Sequence, residues 1–196
     1  MTAKDKLLSA SLAVIRTKGY AATTVDDLCA AAGVTKGAFF HHFKSKEDLG
    51  VAAAQYWGEH TGGLFAGAEY HRPADPLDRI LAYLDFRESL LSAEVPAFTC
   101  LAGTMLQEVY ATTPTIREAA FLSITDHAQT LEHDYDQAIA LYGRPDCPNA
   151  QSLALHTQTV LQGAFVLAKG YGGPEVVRES IAHLRRYLML LLVRPN

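Results

Sequence analysis

Apolar positions recur at helical spacing along almost the whole chain. Leu8, Leu12 and Ile15 fall four and three residues apart, which sets one apolar stripe on a helix over 3–18. Gly19 follows as a stop, since glycine takes the left-handed conformation at a helix end without a Cβ clash. Thr24, with Asp27 three residues on, forms a capping-box pattern for a brief second helix that Gly33 ends. Thr35 caps a third helix over about 36–43, and Ser45, with Asp48 in the box position, opens a fourth. Two short helices joined by Gly33-Val34-Thr35 have the spacing of a helix-turn-helix.

The later helices are longer. Asp75-Pro76 is a cap followed by proline at the first helical position, predicting a helix to about Ser92. Pro96 interrupts, and the next helix covers about 99–111. Thr113-Pro114 repeats the cap-plus-proline signal and starts a long helix ending at Gly143. "GRPDCPNA" is a loop by composition, Asn149 caps a helix to Lys169, and "GYGGPE" turns the chain. The last helix, about 175–193, carries Val177, Ile181, Leu184, Leu188 and Leu191 at four-three-four-three spacing. There is no strand-like alternation, internal repeat or low-complexity tract. The expectation is an all-α fold of about nine helices.

Composition adds little except by exclusion. With 196 residues, 49% apolar and 19% charged, the chain can bury a real core. "MTAKDKLLSA" is charged and runs straight into a helical pattern, so no signal peptide is expected. The longest apolar run, "LMLLLV" at 188–193, is too short for a bilayer. Cys29, Cys100 and Cys147 are odd in number and lack metal-ligand spacing, which points to a reducing cytoplasm and to no metal site. Charge is unevenly distributed. Residues 1–50 carry seven Lys/Arg against five Asp/Glu, while the rest carries ten against sixteen. A mildly basic head on an acidic body is a weak pointer to a polyanion partner.

The segment "GVTKGAFFHHFKSKEDL" (33–49) sharpens that pointer. Phe39 and Phe43 lie four apart on one helix face and are the expected anchors to the first two helices. Phe40, His41 and His42 then project away, alongside Lys36. Gly37 and Ala38 keep the helix N-terminus slim, as a DNA major groove requires. Lys44 and Lys46 are placed to neutralise backbone phosphates. For the two histidines a solvated helix surface is the other reading. They do not form a metal site, because adjacent helical positions point about 100° apart.

These residues carry a resemblance. "TTVDDLCAAAGVTKGAFFHHFKSKEDL" (23–49) resembles the DNA-binding signature of the tetracycline-repressor (TetR) family of bacterial transcription regulators. The resemblance implies that Thr24, Lys36, Gly37, Phe40, His41, His42 and Lys46 face DNA, and Thr35 and Lys44 complete the candidate set. One departure matters: the family usually has Tyr where this chain has Phe40, so a phosphate-contacting hydroxyl is lost. The resemblance further implies a helix-turn-helix domain over 1–48 and an effector-binding and dimerisation domain over 49–196.

Within the body, the helix over 152–170 is apolar almost all round from Val160 to Ala168, with Gly163 and Ala164 allowing close approach. It is either a central core helix or, as the resemblance implies, part of a four-helix dimer interface with the last helix. The interface candidates are Val160, Gly163, Ala164, Leu167, Ala168, Ile181, Leu184, Leu188 and Leu191. Tyr83, Phe86, Phe98, Met105, Gln107, Tyr110, Phe121 and His127 are off-stripe aromatics and polar groups. Each alone reads as core packing, yet together they suit a small-molecule cavity. Cys100 joins them as a pocket candidate. At a helix start its thiol is either a buried small residue or a reactive thiolate, as in relatives that sense electrophiles.

The function expected is a ligand-responsive repressor that binds a near-palindromic operator as a homodimer and is released by a small molecule. A Cys100 redox or electrophile sensor on the same fold is the alternative. An enzyme of unknown reaction is the remote one, since no nucleophile elbow, zinc, P-loop or dinucleotide motif is present. No catalytic residue, cofactor or membrane partner is expected.

Overall fold

The structure, a computed structural model, describes residues 1–194 and is all-helical: ten α-helices and one 3-10 turn, with no strand among the described residues. In chain order they are α1 (Ala3–Lys18), α2 (Val25–Ala32), α3 (Lys36–His42) and α4 (Lys46–Ala66), then the 3-10 turn (Glu69–His71). After it come α5 (Pro76–Ser89), α6 (Val95–Phe98), α7 (Leu101–Val109), α8 (Pro114–Tyr142), α9 (Ala150–Tyr171) and α10 (Glu175–Leu191). The tenth helix beyond the nine expected is α6. Pro96 does not leave an irregular break but sits in a single turn's first residues, where its missing N–H is not needed.

Local chemistry explains most boundaries. Thr2 caps α1 by accepting the Asp5 N–H, and Asp5 accepts the Thr2 N–H in return. Asp75 accepts the N–H groups of Leu77 and Asp78, with Pro76 at the first helical position of α5. Asn149 accepts the Ser152 N–H at the start of α9. Gly19 ends α1 at φ 84°, and a Cβ there would also collide with the Glu108 carboxylate. That carboxylate accepts the Ala21 N–H at 2.8 Å, so α7 holds the turn after α1.

The chain forms two compact units. The first comprises Met1–Gly63 with Thr99–Ile124. Its core joins Leu7, Ile15, Leu28, Phe39 and Leu49 to Leu101, Met105 and Ile116, so α7 and the start of α8 complete the head. The second comprises Leu64–Phe98 with the described residues from Thr125 onward. There α9 and α10 form a hairpin turned at Gly172 (φ 76°, left-handed), and α10 packs on α9 and α5. Val177, Ile181, Leu184 and Leu188 of the expected stripe are buried. Arg194 closes the unit's C-terminal end on Asp75 (2.8 Å) and Asp78 (2.6 Å).

Candidate functional site

The helix-turn-helix is built by caps. The Thr24 hydroxyl accepts the Asp27 N–H and donates to Asp27 Oδ2 (2.7 Å), which also takes the Thr24 N–H and the Lys18 ammonium, each at 2.7 Å. The bond from Lys18, then those from Thr24, hold the Asp27 carboxyl far below the usual carboxylate range. The hydroxyl proton of Thr24 is therefore committed to its own helix. Gly33 ends α2 at φ 62°, the left-handed value that favours glycine, with open space where a Cβ would lie. Thr35 then caps α3 by accepting the Ala38 N–H at 3.1 Å.

On α3 the side chains divide as their spacing predicts. Phe39 and Phe43 are buried with ring centroids 5.7 Å apart, while Phe40 is 56% exposed and meets Phe39 edge-on at 5.1 Å. His41 is exposed and His42 half-buried, their rings 4.8 Å apart. Gly37 is exposed, and a Cβ on it would meet only the Thr35 hydroxyl, at an ordinary 3.7 Å. Nothing inside the chain requires glycine there. Lys36 reaches Asp26 at 2.8 Å in an exposed pair that pushes the lysine up, through the hydrogen bond first and the opposite charge second.

The two lysines after α3 differ. Lys44 is exposed, its backbone N–H given to Asp48. Lys46 turns inward: its ammonium donates to the carbonyls of Tyr20 (3.1 Å), Ala21 (3.3 Å) and Thr23 (2.9 Å). It also lies 4.5 Å from the Tyr20 ring centroid. Three ammonium protons meet three carbonyls, so this lysine ties the start of α4 to the segment between α1 and α2.

The second unit holds a different cluster. The buried Tyr83 hydroxyl sits 3.0 Å from His127 Nε2 and accepts from Gln158 Nε2 at 3.2 Å. With Gln158 donating to its oxygen, the Tyr83 hydroxyl keeps its own proton to offer to Nε2 of a neutral imidazole. Burial, with the Arg87 charge second, pushes His127 down to about 3, so it is neutral. Phe65 packs on His127 (4.4 Å), Phe86 (5.3 Å) and Tyr83 (5.8 Å), and Tyr70 packs on Tyr83 (5.3 Å). The Arg87 guanidinium lies 4.8 Å from the Phe65 centroid, 5.7 Å from Tyr83 and 6.0 Å from Phe165. Its Nε–H is sealed from solvent and has no acceptor.

The profile of the bacterial regulatory proteins, tetR family, matches residues 7–53, the segment that carries this helix-turn-helix. The HTH-type transcriptional regulator YerO of Bacillus subtilis is 41% identical over 54 residues, 28% of this chain and 19% of that protein. The transcriptional regulator AcuR of Cereibacter sphaeroides is 30% identical over 117 residues, 60% of this chain and 53% of that one. The crystal structure of a TetR transcriptional regulator from Chloroflexus aurantiacus J-10-FL superposes with TM-score 0.82 at 28% identity, covering 97% of this chain and 96% of that one. Residues 7–53 carry the TetR family's helix-turn-helix, and the fold is shared with a TetR regulator over nearly the whole chain. The matched segments span about half or less of those two sequence relatives, whereas the fold matches over nearly the full length.

The expected pocket residues separate between the two units. Tyr83, Phe86 and His127 come together in the second unit, and Phe98 joins them through Phe165 at 6.2 Å. Met105 lies in the core of the first unit, and Cys100 caps α7, its Sγ accepting the Gly103 N–H at 3.3 Å. Gln107, Tyr110 and Phe121 are exposed on that same first unit. Sequence reasoning missed Phe65, Tyr70, Arg87, Gln158 and Phe165. Tyr83 and Arg87 lie four apart on α5, so their shared face was the one signal available for Arg87.

The expected interface residues divide too. Ala164, Ala168, Ile181, Leu184 and Leu188 are buried within the single chain, Val160 and Leu191 are half-buried, and Gly163 and Leu167 are exposed. The four-three stripe of α10 faces α9 and α5, which leaves Tyr187 and Leu190 exposed on α10, as Leu155 and Val166 are on α9. Among the described residues, no group of three or more His, Cys, Asp or Glu side chains could hold a metal ion. No described helix is long and apolar enough to cross a membrane.

Proposed function

We propose that this TetR-family chain is a ligand-responsive repressor that works in the cytoplasm and binds a near-palindromic operator as a homodimer. The observation that carries the reading is α3: exposed Lys36, Gly37, Phe40 and His41 share a surface that the chain itself does not cover. Glycine at 37 has no internal reason, and close approach of a DNA edge supplies one. Thr24, Thr35 and Lys44 flank that surface, and the exposed Asp26 is a partner that phosphate can replace at little loss. Lys46 acts by positioning, holding α3 through the segment before α2. Phe40 offers a ring to sugar or a thymine methyl, with no hydroxyl for phosphate. The DNA-binding part is 1–48 in function, within the first compact unit, Met1–Gly63 with Thr99–Ile124.

One seven-residue helix reads too few bases for useful specificity, and a two-fold dimer doubles the readout. The outer faces of α9 and α10, with Gly163, Leu167, Leu155, Val166, Tyr187 and Leu190, are the proposed contact between copies. A ligand held by the Tyr83–His127 cluster would favour one of two dimer states, with coupling set by its differential affinity for them. Gel-shift binding to DNA upstream of the chain's own gene, or to sequences selected from a random pool, tests the regulator reading. Absence of any specific binding rejects it.

A second reading rests on Cys100. This half-buried residue caps α7, its sulfur taking the Gly103 N–H at 3.3 Å, at a place where an electrophile could meet it. Cys100→Ser should then abolish electrophile-induced DNA release, and an unchanged response rejects the sensor. The relatives are regulators, so we read the chain as no enzyme.

A further inference from the structure

The structure assigns the ring cluster around Arg87 a ligand class: a small monocarboxylate with an apolar body. The assignment rests on the effector reading above and deepens it. Aromatic faces attract the guanidinium but leave its in-plane N–H donors without acceptors. The Nε–H of Arg87 is in that state, sealed and unpaired, and no carboxylate lies within ion-pair distance of Arg87 among the described residues. Other arginines of the same unit are treated differently. Arg79 meets Asp134 (2.8 Å) and two backbone carbonyls, Arg185 meets Asp85, and Arg194 meets Asp75 and Asp78.

An unpaired buried donor on a cation is the most expensive polar arrangement a protein retains, and a bound carboxylate removes the penalty with a fork-to-fork pair. The charge of the ligand follows from its surroundings. His127 is neutral and bonded to Tyr83, so the charge that faces the Phe65, Tyr83 and Phe165 rings is the one guanidinium of Arg87, matching one negative charge rather than the two of a phosphate monoester. The body of the ligand follows from the rings around Arg87. Phe65, Phe86 and Phe165 offer ring faces and no hydrogen-bond groups, which suits an alkyl chain or an aryl ring.

Calorimetric titration of the full chain with hexanoate, octanoate and benzoate, each beside its amide, tests the assignment. At least one carboxylate should bind roughly tenfold or more tightly than the amide of the same skeleton. Arg87→Met should erase that preference while leaving amide binding within about twofold, and Arg87→Lys should weaken the carboxylate by roughly tenfold because the fork is lost. If Arg87→Met does not fold by circular dichroism, the wild-type preference and Arg87→Lys decide. Equal binding of carboxylate and amide, or a preference that survives removal of Arg87, overturns the anion assignment and leaves the effector reading standing. If no probe binds in either form, and a broader set of neutral and cationic compounds also leaves operator binding unchanged, the effector reading itself fails.

Discussion

The outer face of α3 and the ring cluster around Arg87 treat polar groups in opposite ways. On α3, Lys36 is paired with Asp26 in water, where either partner can be exchanged with little loss. In the cluster, buried Tyr83 bonds to buried Gln158 and to half-buried His127, and Arg87 keeps a sealed donor with no acceptor. Substitutions on α3 should therefore change what the protein binds and hardly touch its folding. Substitutions in the cluster should change both. A surface that must meet a varied polyanion profits from exchangeable pairs, whereas a site for one small molecule profits from a fixed set of donors.

The widest expected effect comes from His127. Its folded-state pKa, near 3, lies below the ordinary 6.5, so the group contributes stability above pH 6.5 that is lost as pH falls toward 3. The loss is about 1.4 kcal/mol per pH unit inside that window, so roughly 2 kcal/mol at pH 5. Urea unfolding of wild type and His127→Gln between pH 7 and 4.5 checks this, the variant giving a flatter profile. Equal slopes would mean that His127 is solvated, and the contrast with α3 would collapse.

Lys36→Ala and His41→Ala should alter base preference at one position per half-site by about 1–3 kcal/mol. Thermal stability should stay within about 0.5 kcal/mol, because both side chains are exposed. A binding-site selection with each variant shows the first, and melting curves the second.

Next come the two lysines beyond α3. Lys44→Ala should weaken binding to all sequences alike and reduce the salt slope by about one. Lys46→Met should leave that slope unchanged while destabilising the fold by about 1–3 kcal/mol, since three carbonyls lose their donor. A drop in slope for Lys46→Met would place its ammonium on phosphate instead.

The smallest effect on folding belongs to Gly37→Ala. The site has room for a Cβ, so stability should hold or rise by up to about 1 kcal/mol while operator binding falls. Retained binding in a fluorescence-anisotropy titration would remove the close-approach argument for α3.

Much of the head, and the helix starts of the body, was legible because those signals are local. A cap and the backbone it serves lie within three residues, so Thr24, Thr35, Asp75 and Asn149 could be assigned without knowing what packs on them. Spacing separated Phe39 and Phe43 from Phe40 for the same reason. The body was less legible. The stripe on α10 was visible, but which neighbour covers it was not, so residues that bury inside one chain stood among those expected between two copies.

The sequence by itself determined the helices other than α6, their caps, the helix-turn-helix and the family resemblance, all of which follow from patterns a few residues long. Only the tertiary structure decided that Lys46 points inward, that Met105 belongs to the head, and that Phe65, Arg87, Gln158 and Phe165 meet around Tyr83. Those groups come from segments up to about a hundred residues apart. Their meeting depends on which face each helix buries, and that is set by packing against distant partners rather than by the local chain.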